Sequence, residues 1–179
     1  MARIGALFFA LVGLLLVTVN GAAVPEAGSL PIPIGTIINL IGLGLVTKIN
    51  AFITLESLED NLISINFDVK NPLPIELTID RVVSSAGING TVFATFDHTF
   101  ATPVVVPILG TKNSGTIDNV LLTQGATASL DIIPLGVLDL ISTDVFIRAG
   151  TIFGKLGVPI PITGLKQKAV PTNYTLLLS

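Results

Sequence analysis

The sequence predicts an all-β fold, an antiparallel β-sandwich with one short helix, preceded by a signal peptide. Three observations carry this prediction. Apolar and polar residues alternate over several short segments, turn-forming residues separate these segments, and a basic start is followed by a long uncharged stretch. The 179 residues suffice for one domain of about 100–150 residues and a short appendage.

The amino-terminal residues have the three-part arrangement of a secretory signal peptide. Arg3 supplies the positive charge, residues 4–19 contain no charged side chain, and small residues follow. We predict removal of residues 1–21, with Ala22 as the mature start and Val24 as the alternative. The competing interpretation is an uncleaved membrane anchor, but the apolar stretch is shorter than the roughly 20 residues that span a bilayer. A secreted protein is therefore the prediction.

Five segments show the alternation of half-buried antiparallel strands. In residues 62–69, four apolar side chains share one face, and Ser64, Asn66 and Asp68 share the other. The same period of two is found in residues 75–80, 88–97, 145–149 and 158–162. Val, Ile and Thr are abundant, as pleated surfaces prefer.

Turn-forming residues separate these strands at short intervals. Asn71-Pro72 ends one strand because Pro lacks an N–H donor and holds the preceding residue extended. Asn89-Gly90 is the dipeptide favoured in two-residue hairpin turns, although a simple bulge is the alternative. Residues 110–115 form a polar turn cluster. Many short strands punctuated in this way are typical of a sandwich of the immunoglobulin or fibronectin III kind.

Two segments depart from the strand pattern. In residues 135–141 apolar side chains recur every three positions after Pro134, which predicts a helix of one or two turns between the sheets. Residues 30–46 carry no charge but are interrupted by prolines and glycines. This apolar segment is interpreted as a buried strand or short helix, and the alternative is an interfacial segment that touches lipid.

The composition is poor in groups that perform chemistry. There is no Cys, and the single His, His98, follows Asp97. A serine hydrolase would need a Ser beside His98, and no Gly-x-Ser-x-Gly motif is present. The acidic residues Glu56, Glu59 and Asp60 lack the spacing of a calcium loop. We therefore predict no catalytic residue, no metal and no cofactor.

The charge pattern and two short motifs bear on the partners. A net charge of -3 gives no electrostatic basis for binding nucleic acid. Asn89 and Asn173 each begin an Asn-x-Thr motif and are candidate glycosylation sites, in keeping with a secreted protein.

Several motifs together resemble the LEA type 2 domain, also called the water-stress and hypersensitive-response domain. A strand ends at Asn71-Pro72, an aliphatic strand follows, and Gly90 precedes another strand. Residues 127–141 resemble the apolar strand and short helix of that family, and residues 147–168 resemble its closing pair of strands. The resemblance covers residues 48–170 and implies a fibronectin-III-like sandwich.

The resemblance also shapes the expected role. The family has no agreed catalytic residues, and the chain is similar to its secreted or membrane-tethered fungal members. It differs from the cytosolic plant members by its signal peptide, which argues against an intracellular role in dehydration. The expected order is a signal peptide (1–21), an apolar segment (22–47), the sandwich (48–170) and a tail or last strand (171–179).

Three functions follow in order of preference. The first is a non-catalytic structural or interaction module at the cell surface or wall, with a protein or cell-wall partner and a connection to stress. The second is a protein that binds an apolar ligand or lies on lipid through residues 30–46, and it predicts an internal cavity or an apolar surface stripe. The third is a hydrolase that uses His98.

Overall fold

The computed structural model describes residues 44–177, so the predicted signal peptide and most of the apolar segment 22–47 lie outside the described residues. Eight strands follow one another in this part of the chain: β1 (Val46–Thr54), β2 (Leu62–Lys70), β3 (Leu77–Ile88), β4 (Thr91–Val106), β5 (Thr111–Asn113), β6 (Ile117–Leu122), β7 (Val137–Ala149) and β8 (Val158–Leu177). The helices are α1 (Ser57–Asp60), α2 (Ala126–Ser129) and a 3₁₀ helix (Leu130–Leu135).

Seven of these strands form one sheet that closes on itself. The strand order is β1-β8-β7-β3-β4-β6-β2, and β2 pairs again with β1. Strands β5 and β6 lie one after the other along the same edge of β2. Strand β6 pairs with Leu62–Ile65 at the start of β2, and β5 pairs with Asp68–Lys70 at its end. The β1–β8 pair is parallel and the others are antiparallel.

The prediction of an open β-sandwich is therefore wrong, and the domain is a closed barrel. In a sandwich, the edges of the two sheets are not joined by hydrogen bonds. Here two seams, the β1–β8 pair and the β4–β6 pair, join the edges by hydrogen bonds and close the ring. The parallel seam joins Ile49 to Thr172 and continues to Thr54 and Leu177. The other seam consists of Ala94–Leu122 and Thr95–Leu121. Alternation along a strand specifies one buried face in either architecture, so it could not distinguish them.

The predicted helix at residues 135–141 is also misplaced. The helical turns precede it, at α2 and the 3₁₀ helix, and residues 137–141 begin strand β7. Leu138 and Leu140 are buried while Val137, Asp139 and Ile141 are less so. The period is therefore two, and the spacing of three that suggested a helix is incidental.

The two ends of the barrel differ in what covers them. The loop end consists of the segments 71–76, 107–110 and 150–157, which are joined by hydrogen bonds from Asn71 to Pro107 O and from Gly150 N to Glu76 O. The cap end consists of α1, the Asn89-Gly90 hairpin turn, α2 and the 3₁₀ helix. Asn89 and Gly90 have φ of 50° and 85°, as a two-residue hairpin turn requires.

Strand β8 is long enough to pair with two strands, one after the other. Residues 158–171 lie beside β7, and residues 172–177 pair with β1. Pro159 and Pro161 lie in the first half, exposed, where no β1 partner is present among residues 44–177. Since Pro offers no N–H, these two residues reduce the ability of this edge to accept another strand.

The interior is lined mainly by aliphatic side chains from every strand of the ring. Val69, Val106, Ile117 and Val170 are fully buried, and Phe67 and Phe100 are the buried aromatic residues of the core. Among residues 44–177, no helix has the length and apolar character needed to cross a membrane.

Candidate functional site

The interior of the barrel contains a cavity of about 70 Å³ that extends from the cap towards Leu45 and Val46 at the start of β1. Ile49 of β1, Ile63 of β2 and Leu140 of β7 lie on its wall, and Ser129 and Ile132 close it from the cap. A water molecule needs roughly 10–15 Å³ of such space and several polar partners. The cavity therefore has room for more than a water, but its hydrocarbon wall suits an apolar occupant.

Small inward-facing side chains contribute to the cavity. Ala86 of β3 is paired with Ala94 of β4, Ala51 of β1 is paired with Tyr174 of β8, and all three alanines line the cavity. Val69 and Ile117 are fully buried and are not among the lining residues.

Two kinds of polar group lie on the cavity wall. The Ser84 and Thr143 hydroxyls are 2.8 Å apart and satisfy each other. The Tyr174 hydroxyl, in contrast, is buried and has no hydrogen-bond partner, the one such side-chain atom within residues 44–177. Most buried polar atoms in proteins are paired, so Tyr174 is the unusual group of this cavity. Burial raises its pKa to about 12.

Tyr174 gives a clean spectroscopic test of this environment because it is the only tyrosine and the chain has no Trp. We expect phenolate absorbance to appear near pH 12 in the folded protein instead of near the ordinary value of 10. The folded state then holds the proton more tightly, so stability is complete below pH 10 and decreases as the pH rises from 10 towards 12. Titration of the urea-unfolded protein near pH 10 is the control, and the same value in the folded protein would contradict a buried hydroxyl.

Tyr174 was not predicted as a cavity residue. The alternation Val170, Thr172, Tyr174 is the signal for it, because this period of two places all three side chains on the inward face of β8. Which side chains would face it across the barrel depends on the pairing of β8 with β1, and that pairing is not readable from the local pattern.

Asp97 and His98 are the candidate acid–base pair of the sequence, but their side chains do not point to the same place. They are consecutive residues of β4 and therefore face opposite sides of the sheet. Arg81 binds the Asp97 carboxylate through Nε at 2.8 Å and Nη2 at 2.5 Å, which lowers the pKa of Asp97. The His98 ring packs edge-on against Phe100, with 4.7 Å between ring centroids.

The remaining sequence candidates are dispersed over the surface. Glu56, Glu59 and Asp60 are exposed on and beside α1, and no group of three or more potential metal ligands occurs among the described residues. Asn89 is exposed in the hairpin turn and Asn173 is exposed on β8.

The residues taken from the family resemblance have structural positions. Asn71 is fully buried, and its side chain links two segments of the loop end, 71–76 and 107–110. Pro72 follows it in the same loop. Gly90 completes the hairpin turn at φ 85°.

Comparison with known proteins adds little to this description. No family model matches the chain, and no curated protein matches it. Among solved structures, the chain is similar to a crystal structure of a protein from Archaeoglobus fulgidus. That protein is 13% identical, the match covers 60% of this chain and 84% of the other, and the TM-score is 0.27. A likeness at this level carries no argument about function, and membership of the LEA type 2 family stays a prediction.

Proposed function

We propose that the protein binds a small apolar molecule with a single polar atom inside the barrel, and that Tyr174 is the hydrogen-bond partner of that atom. The observation that carries the proposal is the unpaired Tyr174 hydroxyl beside an apolar cavity. Leaving a buried hydroxyl unpaired costs about 1–3 kcal/mol. A ligand that supplies an acceptor or donor recovers this free energy, and a purely apolar ligand does not.

The size of the cavity limits the ligand. Its volume of about 70 Å³ is roughly half that of an engineered 150 Å³ cavity that accepts benzene. The occupant in the present conformation is therefore a very small molecule or the end of a longer chain. A ring of six carbons requires the cap residues Ser129 and Ile132 to move outward, and these belong to a short helical segment with no strand pairing.

This proposal selects the second of the functions considered from the sequence. A purely structural or interaction module needs only a filled core, and the cavity with its unpaired hydroxyl favours ligand binding instead. The hydrolase alternative receives no support from geometry, because the Asp97 carboxylate is engaged by Arg81 on the face opposite His98. Export through the predicted signal peptide remains part of the proposal, as does the absence of catalysis.

Two very small ligands of nearly equal shape test the proposal: ethanol, which carries a hydroxyl, and propane, which carries a methyl group in its place. Binding is followed by the shifts of the methyl resonances of Ile49, Ile63 and Leu140 on the cavity wall. We expect saturable binding of both. Tyr174→Phe should weaken ethanol binding about tenfold, the equivalent of one hydrogen bond, and leave propane binding unchanged.

A pair of substitutions localises the binding. Ala86→Leu places a larger side chain in the cavity and should abolish binding of both ligands. Ala101→Leu adds the same atoms at an exposed position of β4 and should have no effect. The proposal fails if neither ligand shifts the cavity resonances, or if binding persists unchanged in Ala86→Leu.

A further inference from the structure

The loop end of the barrel exposes five large apolar side chains on two neighbouring loops. Ile108 and Leu109 belong to the segment 107–110, and Ile152, Phe153 and Leu156 belong to the segment 150–157. More than half of each side chain is exposed, and Phe153 reaches 88%. We call these five residues the apolar tip. Scattered exposed aliphatic residues are ordinary, but five large apolar side chains on two loops at one end of the barrel mark a contact surface.

The backbone of the apolar tip is unfavourable for the residues it carries. Leu109, Phe153 and Leu156 have φ of 52°, 50° and 62°, a conformation that Gly and Asn adopt more readily than bulky residues. Their side chains make little contact with the folded chain in return. Strain of this kind at an exposed site is a reason to look for a function outside the domain.

The longer loop is nevertheless held in one conformation by buried and half-buried polar groups. The Glu76 carboxylate accepts hydrogen bonds from the Thr151 hydroxyl at 2.7 Å and the Gly154 N–H at 2.9 Å. Arg148 donates to the Gly154 and Leu156 carbonyls, both at 2.9 Å. Asp80 in turn orients Arg148 through two further bonds. The apolar tip is thus presented rigidly, so little conformational entropy is lost when it binds.

Three exposed lysines surround the apolar tip, and exposed acids cover the opposite end. Lys70, Lys112 and Lys155 are exposed at the loop end, and the salt bridges of residues 44–177 involve none of them. The acidic residues Glu76 and Asp80 are engaged by the loop itself, and Asp68 accepts a hydrogen bond from Asn113 Nδ2. The turn and helices of the cap end carry no Lys or Arg, and the exposed Lys166 and Lys168 lie on β8, beside Leu140 of β7. The exposed acids of the cap end are Glu56, Glu59, Asp60 and Asp131.

We propose that the loop end docks on an anionic lipid bilayer, with Phe153 and Leu156 inserted among the acyl chains and the three lysines beside the headgroups. Apolar side chains flanked by lysines fit an anionic interface, which attracts cations within about a Debye length. The acidic cap end is repelled, which determines the orientation. The chain before β1 also reaches the barrel at this end, since the Leu45 carbonyl accepts from Lys70 N–H. This surface is separate from the cavity, and either proposal can fail alone.

A single introduced tryptophan tests the orientation in the full chain, which otherwise has none. Phe153→Trp should show a blue-shifted emission with phosphatidylserine-containing vesicles, and brominated lipid should quench it. Leu135→Trp, exposed at the cap end, should show neither change. This site-specific comparison excludes a contribution from residues 4–19, because both variants carry them. Equal quenching at both positions, or none at position 153, overturns the proposal. So does a blue shift that depends on protein concentration without lipid, which assigns the tip to a second copy of the chain.

A second set of variants measures affinity without risk to the fold, because Asn tolerates positive φ. Phe153→Asn combined with Leu156→Asn should weaken vesicle co-sedimentation by roughly tenfold or more and leave thermal stability equal or higher. Leu55→Asn combined with Leu135→Asn, at the cap end, should retain binding. Lys155→Glu should weaken binding to phosphatidylserine vesicles and not to phosphatidylcholine vesicles. Unchanged binding of the Phe153/Leu156 variant contradicts the proposal.

Discussion

Replacing Asn71 by alanine is expected to lower the free energy of unfolding by about 3 kcal/mol, because several buried groups lose a partner together. The Asn71 side chain is fully buried. Its Nδ2 donates to the Ile75 carbonyl at 2.7 Å and to the Pro107 carbonyl at 3.1 Å, and its Oδ1 accepts from Leu73 N–H at 2.9 Å. One side chain thus connects the start of β3 with the end of β4.

Urea denaturation of Asn71→Ala beside the parent chain measures this loss. Asn71→Asp tests the reason, since it keeps the acceptor for Leu73 and replaces the donor with a carboxylate oxygen facing two carbonyls. We expect it to be at least as unstable as Asn71→Ala near neutral pH. Asn173→Ala, an exposed position on β8, is the matched control and should change stability by no more than about 0.5 kcal/mol. Similar small effects at both asparagines would show that Asn71 does not organise the loop end.

Replacing Gly87 by alanine is expected to destabilise the protein by a comparable amount, about 3 kcal/mol. A Cβ at Gly87 would lie 1.8 Å from the Thr91 carbonyl oxygen and 2.8 Å from its carbon. Both are backbone atoms of the facing strand, so no side chain can rotate to relieve the contact. The register between β3 and β4 shifts at this point, between Ala86 and Gly87, and the two backbones approach closely there.

Gly90→Asn is the informative control, because it lies in the same hairpin. Gly90 has φ 85°, and a Cβ at this position would meet no heavy atom within 4 Å apart from those of its chain neighbours. Asn is also tolerated in left-handed turns. Thermal unfolding should therefore show a small change for Gly90→Asn and a large one for Gly87→Ala. A large effect at Gly90 with a small one at Gly87 would mean that turn conformation, rather than backbone contact, limits this hairpin.

The strand content of the domain was predictable from residue alternation, and so was the position of its main hairpin. Residues 62–69, 145–149 and 158–162 all lie in strands β2, β7 and β8. The predicted strand 75–80 begins two residues before β3, and the predicted strand 88–97 is interrupted by the turn at Asn89-Gly90. The turn at Asn89-Gly90 was predictable because few dipeptides allow positive φ at both positions. The same kind of local reasoning failed at residues 135–141, where three apolar residues at a spacing of three occur by coincidence within a strand.

Only the general nature of the candidate site could be predicted from the sequence. An internal cavity was one of two outcomes expected of an apolar-ligand protein, but its polar group, Tyr174, was not identified. The apolar tip was not identified either, because Phe153 and Leu156 lie in a turn where their exposure depends on the contacts of Glu76 and Arg148. Those contacts join residues that are far apart in the chain.

The amino-acid sequence by itself determined that the chain folds as strands with one buried face, where the sharpest turns fall, and that titratable groups are scarce. These properties follow from local preferences of the backbone and from the period of two along a strand. Only the tertiary structure decided that the sheet closes into a barrel, that small residues meet around a cavity, and that the lysines and apolar loops share one end. The reason is that strand pairing joins residues distant in sequence, such as Ile49 and Thr172, and alternation specifies a face but never a partner.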